Sequence, residues 1–140
     1  MCLRLRRKLL LESFAVELLA LARNTEDRIA ALNRSAILII PKPPYADWAN
    51  SLDDDGPRFA ISDAHDELTI FLGPDFDTVE QIDAFVTKHF DFFFEHWLAG
   101  WSTDPAQWPQ RRNRRRFREW FDVRIHTMVE DVVDAPYEID

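Results

Sequence analysis

The chain has 140 residues, of which 46% are hydrophobic and 30% are charged, and its 17 basic and 25 acidic side chains give a formal net charge of -8. This length and composition are typical of one globular domain. The single cysteine, Cys2, excludes an internal disulfide and a cysteine-based zinc site. Three glycines leave no glycine-rich phosphate loop, and we expect no metal or other cofactor.

Residues 1–32 are predicted to form an N-terminal helical extension. A basic start is followed by an apolar stretch over residues 9–22, which resembles a signal peptide. Glu12 and Glu17 interrupt that stretch, and no uncharged run approaches the ~20 residues that a membrane span requires. We therefore expect a cytoplasmic protein without a transmembrane segment.

The next segments alternate between strand and helix signals. The aliphatic run from Ser35 to Ile40 predicts a strand that is buried on both faces and central in its sheet. Prolines that follow it bar a helix until Tyr45, and a short helix is predicted over residues 45–52. Two strand-like runs, over residues 58–62 and 68–72, predict a hairpin.

The last part of the chain predicts two helices and a strand. A long helix begins at Thr78 and runs to about Trp97, and a basic helix begins near Pro109. Side chains then alternate from Phe121 to Val129, which predicts a strand at an edge or with one face in solvent. Together these elements predict an α+β fold, with a small mixed β-sheet of three to four strands covered by helices, in one domain over residues 33–140.

Six of the eight residues from position 111 to position 118 are arginine: Arg111, Arg112, Arg114, Arg115, Arg116 and Arg118. With the basic N-terminal block at residues 4–8 they account for ten of the 17 basic side chains, which leaves seven against all 25 carboxylates. An acidic body with two basic patches favours binding or self-association over catalysis.

Three uses of the arginine run stay open. The arginines can form an internal or solvated charge network, an interface with another protein or a second copy of the chain, or a nucleic-acid site. Trp108, Trp101 and Trp120 are candidate stacking surfaces for bases. Because the acidic remainder repels a polyanion, we expect a protein partner at the arginines and Trp108, with nucleic acid as the alternative.

A catalytic hypothesis rests on the polar face of the final strand, which carries Asp122, Arg124, His126 and Glu130. Asp122 and His126 are four residues apart, about 13 Å along a strand, so they form no dyad by themselves. An enzyme with a site around His126 would need partners from another element, and the sequence favours a non-enzymatic protein. Metal sites are not predicted, since His89 and His96 lie two helical turns apart, about 10.5 Å.

Several short stretches from Asn33 onward carry a family resemblance: Asn33–Ala36, Pro41–Tyr45 with Asp47-Trp48, Trp108-Pro109, and Phe117–Val123 followed by His126, Met128-Val129 and Asp131. With these residues the chain resembles a small family of uncharacterised bacterial proteins. The resemblance implies one domain that starts near Asn33, preceded here by an extension. It implies no activity, because none is established for the family.

Overall fold

A computed structural model describes residues 30–140, so most of the predicted N-terminal extension lies outside the described residues. The described chain combines helices with two small β-sheets, which confirms the predicted α+β fold. In chain order the elements are β1 (Ala30–Ala31), β2 (Arg34–Pro41), α1 (Pro43–Ser51), α2 (Ile61–Ala64), β3 (Ile70–Pro74), α3 (Val79–Trp101), a 3₁₀ turn (Pro105–Gln107), α4 (Arg114–Trp120), β4 (Phe121–His126) and β5 (Glu130–Asp131).

The described strands form a three-stranded sheet in the order β3-β2-β4 and a two-stranded antiparallel sheet of β1 and β5. β2 is central, as predicted, and Ile37 and Ile39 within it are each only 1% exposed. β4 lies at an edge, also as predicted. Consecutive residues 35–37 are all buried, so β2 is covered on both faces, as its aliphatic run predicts.

β1 corrects the prediction that a helical extension reaches residue 32. Ala30 lies opposite Asp131 and Ala31 opposite Glu130, and the Leu32 amide donates to the Val129 carbonyl at 2.8 Å. Strand pairing therefore satisfies backbone groups that the prediction assigned to a helix.

The predicted hairpin is wrong in its first half. Residues 58–60 form no strand, and the helical turn α2 follows them. The Asn50 side chain holds Phe59 instead: the Phe59 amide donates to Asn50 Oδ1 at 2.7 Å, and Asn50 Nδ2 donates to the Phe59 carbonyl at 3.0 Å. A side-chain amide thus replaces the strand partner that the backbone of Phe59 would otherwise need.

The helices agree with their predicted positions except at their ends. α1 begins at Pro43, two residues before the predicted start, because proline is well accommodated in the first turn, where its missing N–H costs no hydrogen bond. α3 begins as predicted, with Thr78 Oγ1 accepting from the Gln81 amide at 3.2 Å. It continues one turn beyond the predicted end, to Trp101.

The described residues divide into two compact units. The first contains residues 30–36, 72–81 and 125–140, and includes the β1–β5 pair and a hydrogen bond from the Phe76 amide to Ser35 Oγ. The second contains residues 37–71 and 82–124. Its core is aromatic, with Tyr45, Phe94 and Phe117 at most 1% exposed. The assignment of residues 33–140 to one domain stays a prediction.

Within residues 30–140, no helix combines the length and the apolar character that crossing a bilayer requires.

Candidate functional site

The arginine run is divided between a loop and the short helix α4. The helix begins at Arg114 and not near Pro109, because the Asn113 side chain accepts from the Arg116 amide at 2.8 Å and so caps it. Phe117, 1% exposed, anchors the helix in the core. Lys42 fixes its end: Lys42 Nζ donates to the Arg118 carbonyl at 2.7 Å.

Arg112 is engaged inside the second unit. Its Nε lies 2.9 Å from Asp91 Oδ1 and its Nη2 lies 2.7 Å from Glu95 Oε1, while Nη1 donates to the Pro109 carbonyl. Its guanidinium carbon lies 5.8 Å from the centre of the Trp108 ring, within cation–π range. Only 19% of the side chain is exposed, so Arg112 joins the loop to α3 rather than presenting its charge outward.

Four of the remaining arginines are exposed, and we call them the arginine surface: Arg111, Arg114, Arg115 and Arg118. Arg116 is half-buried and donates from Nη1 to the Arg111 carbonyl at 2.7 Å. The Arg115 side chain is 88% exposed and pairs with Glu119 at 3.0 Å. Exposed pairs of this kind contribute only about 0.2–1 kcal/mol, so the fold scarcely depends on this charge.

A small cleft of about 270 Å³ opens on the arginine surface. Three arginines, one amide and one carboxylate line it: Arg111, Arg115, Arg116, Asn113 and Glu119. The cleft is therefore rich in hydrogen-bond donors, and its single carboxylate is the one already paired with Arg115.

The three tryptophans predicted as stacking surfaces are all half-buried. Trp108 is half-buried, donates from Nε1 to the Ser102 carbonyl at 2.8 Å, and faces Arg112. Trp101 donates to the Ala49 carbonyl at 2.9 Å. The Trp120 ring lies 5.4 Å from that of Phe94. Internal contacts thus engage all three rings.

The polar face of β4 is only partly as predicted. Asp122, Arg124 and His126 are exposed, in alternation with half-buried Val123 and Ile125, which confirms the predicted faces up to His126. Arg124 Nε lies 3.4 Å from Asp122 Oδ2. Glu130 does not continue this face, because β4 ends at His126 and Glu130 belongs to β5.

A second cleft, which the sequence did not predict, opens in the second unit and has a volume of about 340 Å³. We call it the aromatic cleft. Its lining combines aromatic rings with polar and charged side chains: Tyr45, Phe59, Trp97 and Trp101, with Arg58, Asp63, Ala64, Glu67, Thr69, His96 and Gly100. Trp97 and Trp101 are four residues apart in α3 and therefore share one face of that helix, which is the one sequence signal for this site.

The polar atoms of Tyr45 and Trp101 already form hydrogen bonds within the protein. Tyr45 Oη donates to the Trp97 carbonyl at 2.8 Å, and burial raises the pKa of the Tyr45 phenol well above its usual range. Trp101 Nε1 donates to the Ala49 carbonyl. Trp101 is half-buried and offers mainly ring surface to a ligand, whereas Tyr45 is only 1% exposed and offers almost none.

The polar and charged side chains of the aromatic cleft differ in whether they have hydrogen-bond partners. Arg58 donates to the Asn50 carbonyl at 3.3 Å, and His96 Nε2 lies 3.3 Å from Thr69 Oγ1. Asp63 lies in α2 and Glu67 three residues after it. Both are exposed, and their carboxylates have no hydrogen-bond or ion-pair partner among residues 30–140. With two carboxylates and the Arg58 guanidinium in its lining, the cleft carries one excess negative charge.

Among the described residues, no three histidine, cysteine, aspartate or glutamate side chains converge as ligands of a metal ion would. No family model matches the chain, and neither does a curated protein or a solved structure. A functional conclusion therefore depends on the side chains themselves.

Proposed function

We propose that this protein is a non-enzymatic binding module whose arginine surface binds an acidic segment of another protein. The observation that carries this proposal is that the arginines of the run differ in their contacts and exposure. Arg112 is held by Asp91 and Glu95, whereas the four arginines of the arginine surface are exposed. Exposed guanidinium groups on which the fold does not depend can bind a partner.

Electrostatics supports an acidic partner. The arginine surface concentrates positive charge in a chain whose net charge is -8, so it differs in sign from most of the molecule. Guanidinium groups bind carboxylates through two parallel hydrogen bonds, which gives geometric selectivity as well as attraction. The donor-rich cleft beside Arg115 suits a single acidic side chain of the partner.

The choice of protein over nucleic acid rests on the tryptophans. Single-stranded nucleic acids are bound by rings that stack on bases as well as by positive charge. Here Trp108 faces Arg112, Trp120 packs against Phe94, and Trp101 lines the aromatic cleft. None of the three lines the cleft on the arginine surface, which therefore has no aromatic platform from them. Nucleic-acid binding through the same arginines is the alternative function.

The choice of binding over catalysis rests on the polar face of β4. Asp122, Arg124 and His126 are exposed, and neither the aromatic cleft nor the cleft on the arginine surface is lined by them. A catalytic group needs a site that orients a substrate and excludes water, and an exposed strand face supplies neither.

Fluorescence anisotropy with two probes of equal charge tests the proposal: an oligoglutamate peptide and an oligothymidylate. The variant R111Q/R115Q removes two charges from the arginine surface, and K88Q/R124Q removes two exposed charges elsewhere. We expect the first variant alone to weaken peptide binding. Equal losses in both variants would contradict a localised site, and tighter binding of the oligothymidylate by the unaltered protein would favour nucleic acid.

A further inference from the structure

The aromatic cleft has the make-up of a small-molecule site. Ligand pockets combine apolar and aromatic walls with a few convergent polar groups, and their volumes begin near 300 Å³. This cleft has about 340 Å³, four aromatic residues in its lining, and charged groups around them. Its volume suits a small ligand.

The charges of the cleft indicate the sign of its ligand. Asp63 and Glu67 bring two carboxylates against the single guanidinium of Arg58, so the lining keeps one excess negative charge. Neither carboxylate has a partner among the described residues. A positive ligand would supply that partner, and the acidic chain would raise the local concentration of cations.

The rings indicate that the cation is organic. A bare metal ion needs several oxygen or nitrogen ligands around one point, and no such trio exists among residues 30–140. An ammonium group on an apolar body instead places its charge near the carboxylates and its body against Trp97 and Trp101. Aromatic faces also attract cations directly.

We propose that the aromatic cleft is a binding site for a small organic cation, an ammonium compound with an apolar body. Asp63 and Glu67 hold the ammonium group, and the rings of Trp97, Trp101 and Phe59 bind the apolar part. This site is distinct from the arginine surface, since the two clefts share no lining residue.

Three probes of one shape test the proposal by NMR titration: phenethylammonium, the neutral 2-phenylethanol and the anion 3-phenylpropionate. We expect phenethylammonium to bind and to shift the indole resonances of Trp97 and Trp101. The neutral probe should bind at least about tenfold more weakly, because it cannot form charged hydrogen bonds with the carboxylates. Added salt should weaken only the cation. Binding of the neutral or anionic probe as tightly as the cation, or no binding of the cation, would overturn the proposal.

Two matched variants separate the site from non-specific attraction. D63N/E67Q removes both carboxylates of the cleft, and D66N removes an exposed carboxylate of the same turn that does not line it. We expect about a tenfold loss of phenethylammonium affinity in the double variant and no change in D66N. Retained affinity in D63N/E67Q would contradict the assignment. All affected groups are exposed, so both variants should fold, which their thermal transitions would verify.

Discussion

At the scale of single residues, arginines of one run differ because their surroundings differ. Replacing Arg112 would leave Asp91 and Glu95 without their shared counter-charge, whereas Arg115 pairs only with exposed Glu119. We expect Arg112→Gln to lower the free energy of unfolding by about 1–2 kcal/mol, and Arg115→Gln by less than about 0.5 kcal/mol. Urea midpoints of the two variants measure this, and equal midpoints would contradict the internal role of Arg112.

His126 and Ile125 test the two faces of β4. His126 is exposed, so His126→Ala should cost under about 1 kcal/mol, as for a surface substitution. Ile125 is half-buried, so Ile125→Ala should cost more than that, yet less than the ~2–5 kcal/mol of a fully buried residue. Denaturant midpoints on the same protein compare them. A larger loss for His126 would show that the faces are assigned backwards.

At the scale of elements, Asp131 links β5 to the C-terminal residues. The Val133 amide donates to Asp131 Oδ1 at 2.9 Å, and Tyr137 Oη donates to Asp131 Oδ2 at 2.8 Å. These bonds lower the pKa of Asp131, the backbone bond being the larger cause, and the bond to Asp131 raises the pKa of Tyr137.

The direction of each pKa shift determines how the corresponding contribution to stability depends on pH. The pKa of Asp131 is lowered by folding, so its stabilising effect is present above the ordinary aspartate pKa, near 4, and is lost as the pH falls through the lowered value. The pKa of Tyr137 is raised, so its effect is present below the ordinary tyrosine pKa, near 10, and is lost as the pH rises through the raised value.

Carboxyl-carbon NMR titration of Tyr137→Phe tests this arrangement. We expect the pKa of Asp131 to rise in the variant and yet to stay below its ordinary value, because the Val133 amide still donates to the carboxylate. An unchanged pKa would mean that the Tyr137 hydrogen bond does not form in solution.

The elements that the sequence predicted best are those fixed by local pattern. β2 follows from an aliphatic run that ends at Pro41, and the start of α3 follows from Thr78. Two elements were placed wrongly because side-chain amides bind the backbone nine and three residues away. Asn50 holds Phe59 out of a strand, and Asn113 moves the start of the basic helix from Pro109 to Arg114.

At the scale of the whole molecule, the sequence predicts one of the two candidate sites, the arginine surface, and not the other, the aromatic cleft. The arginine surface could be found because its charges are adjacent in sequence, although no local pattern shows that Arg112 reaches Asp91 and Glu95, 21 and 17 residues away. The aromatic cleft could not be found, because its lining comes from separate segments of the chain.

The central claim is that the arginine surface binds an acidic protein segment. The measurement that tests it most directly is affinity purification from the native cell after nuclease treatment, with R111Q/R114Q/R115Q/R118Q compared with the unaltered protein and with K88Q/R124Q. We predict that a protein with an acidic segment is retained by the unaltered protein and by K88Q/R124Q, and is lost with the quadruple variant. Retention of the same proteins by the quadruple variant, or loss of all retention on nuclease treatment, would contradict the claim.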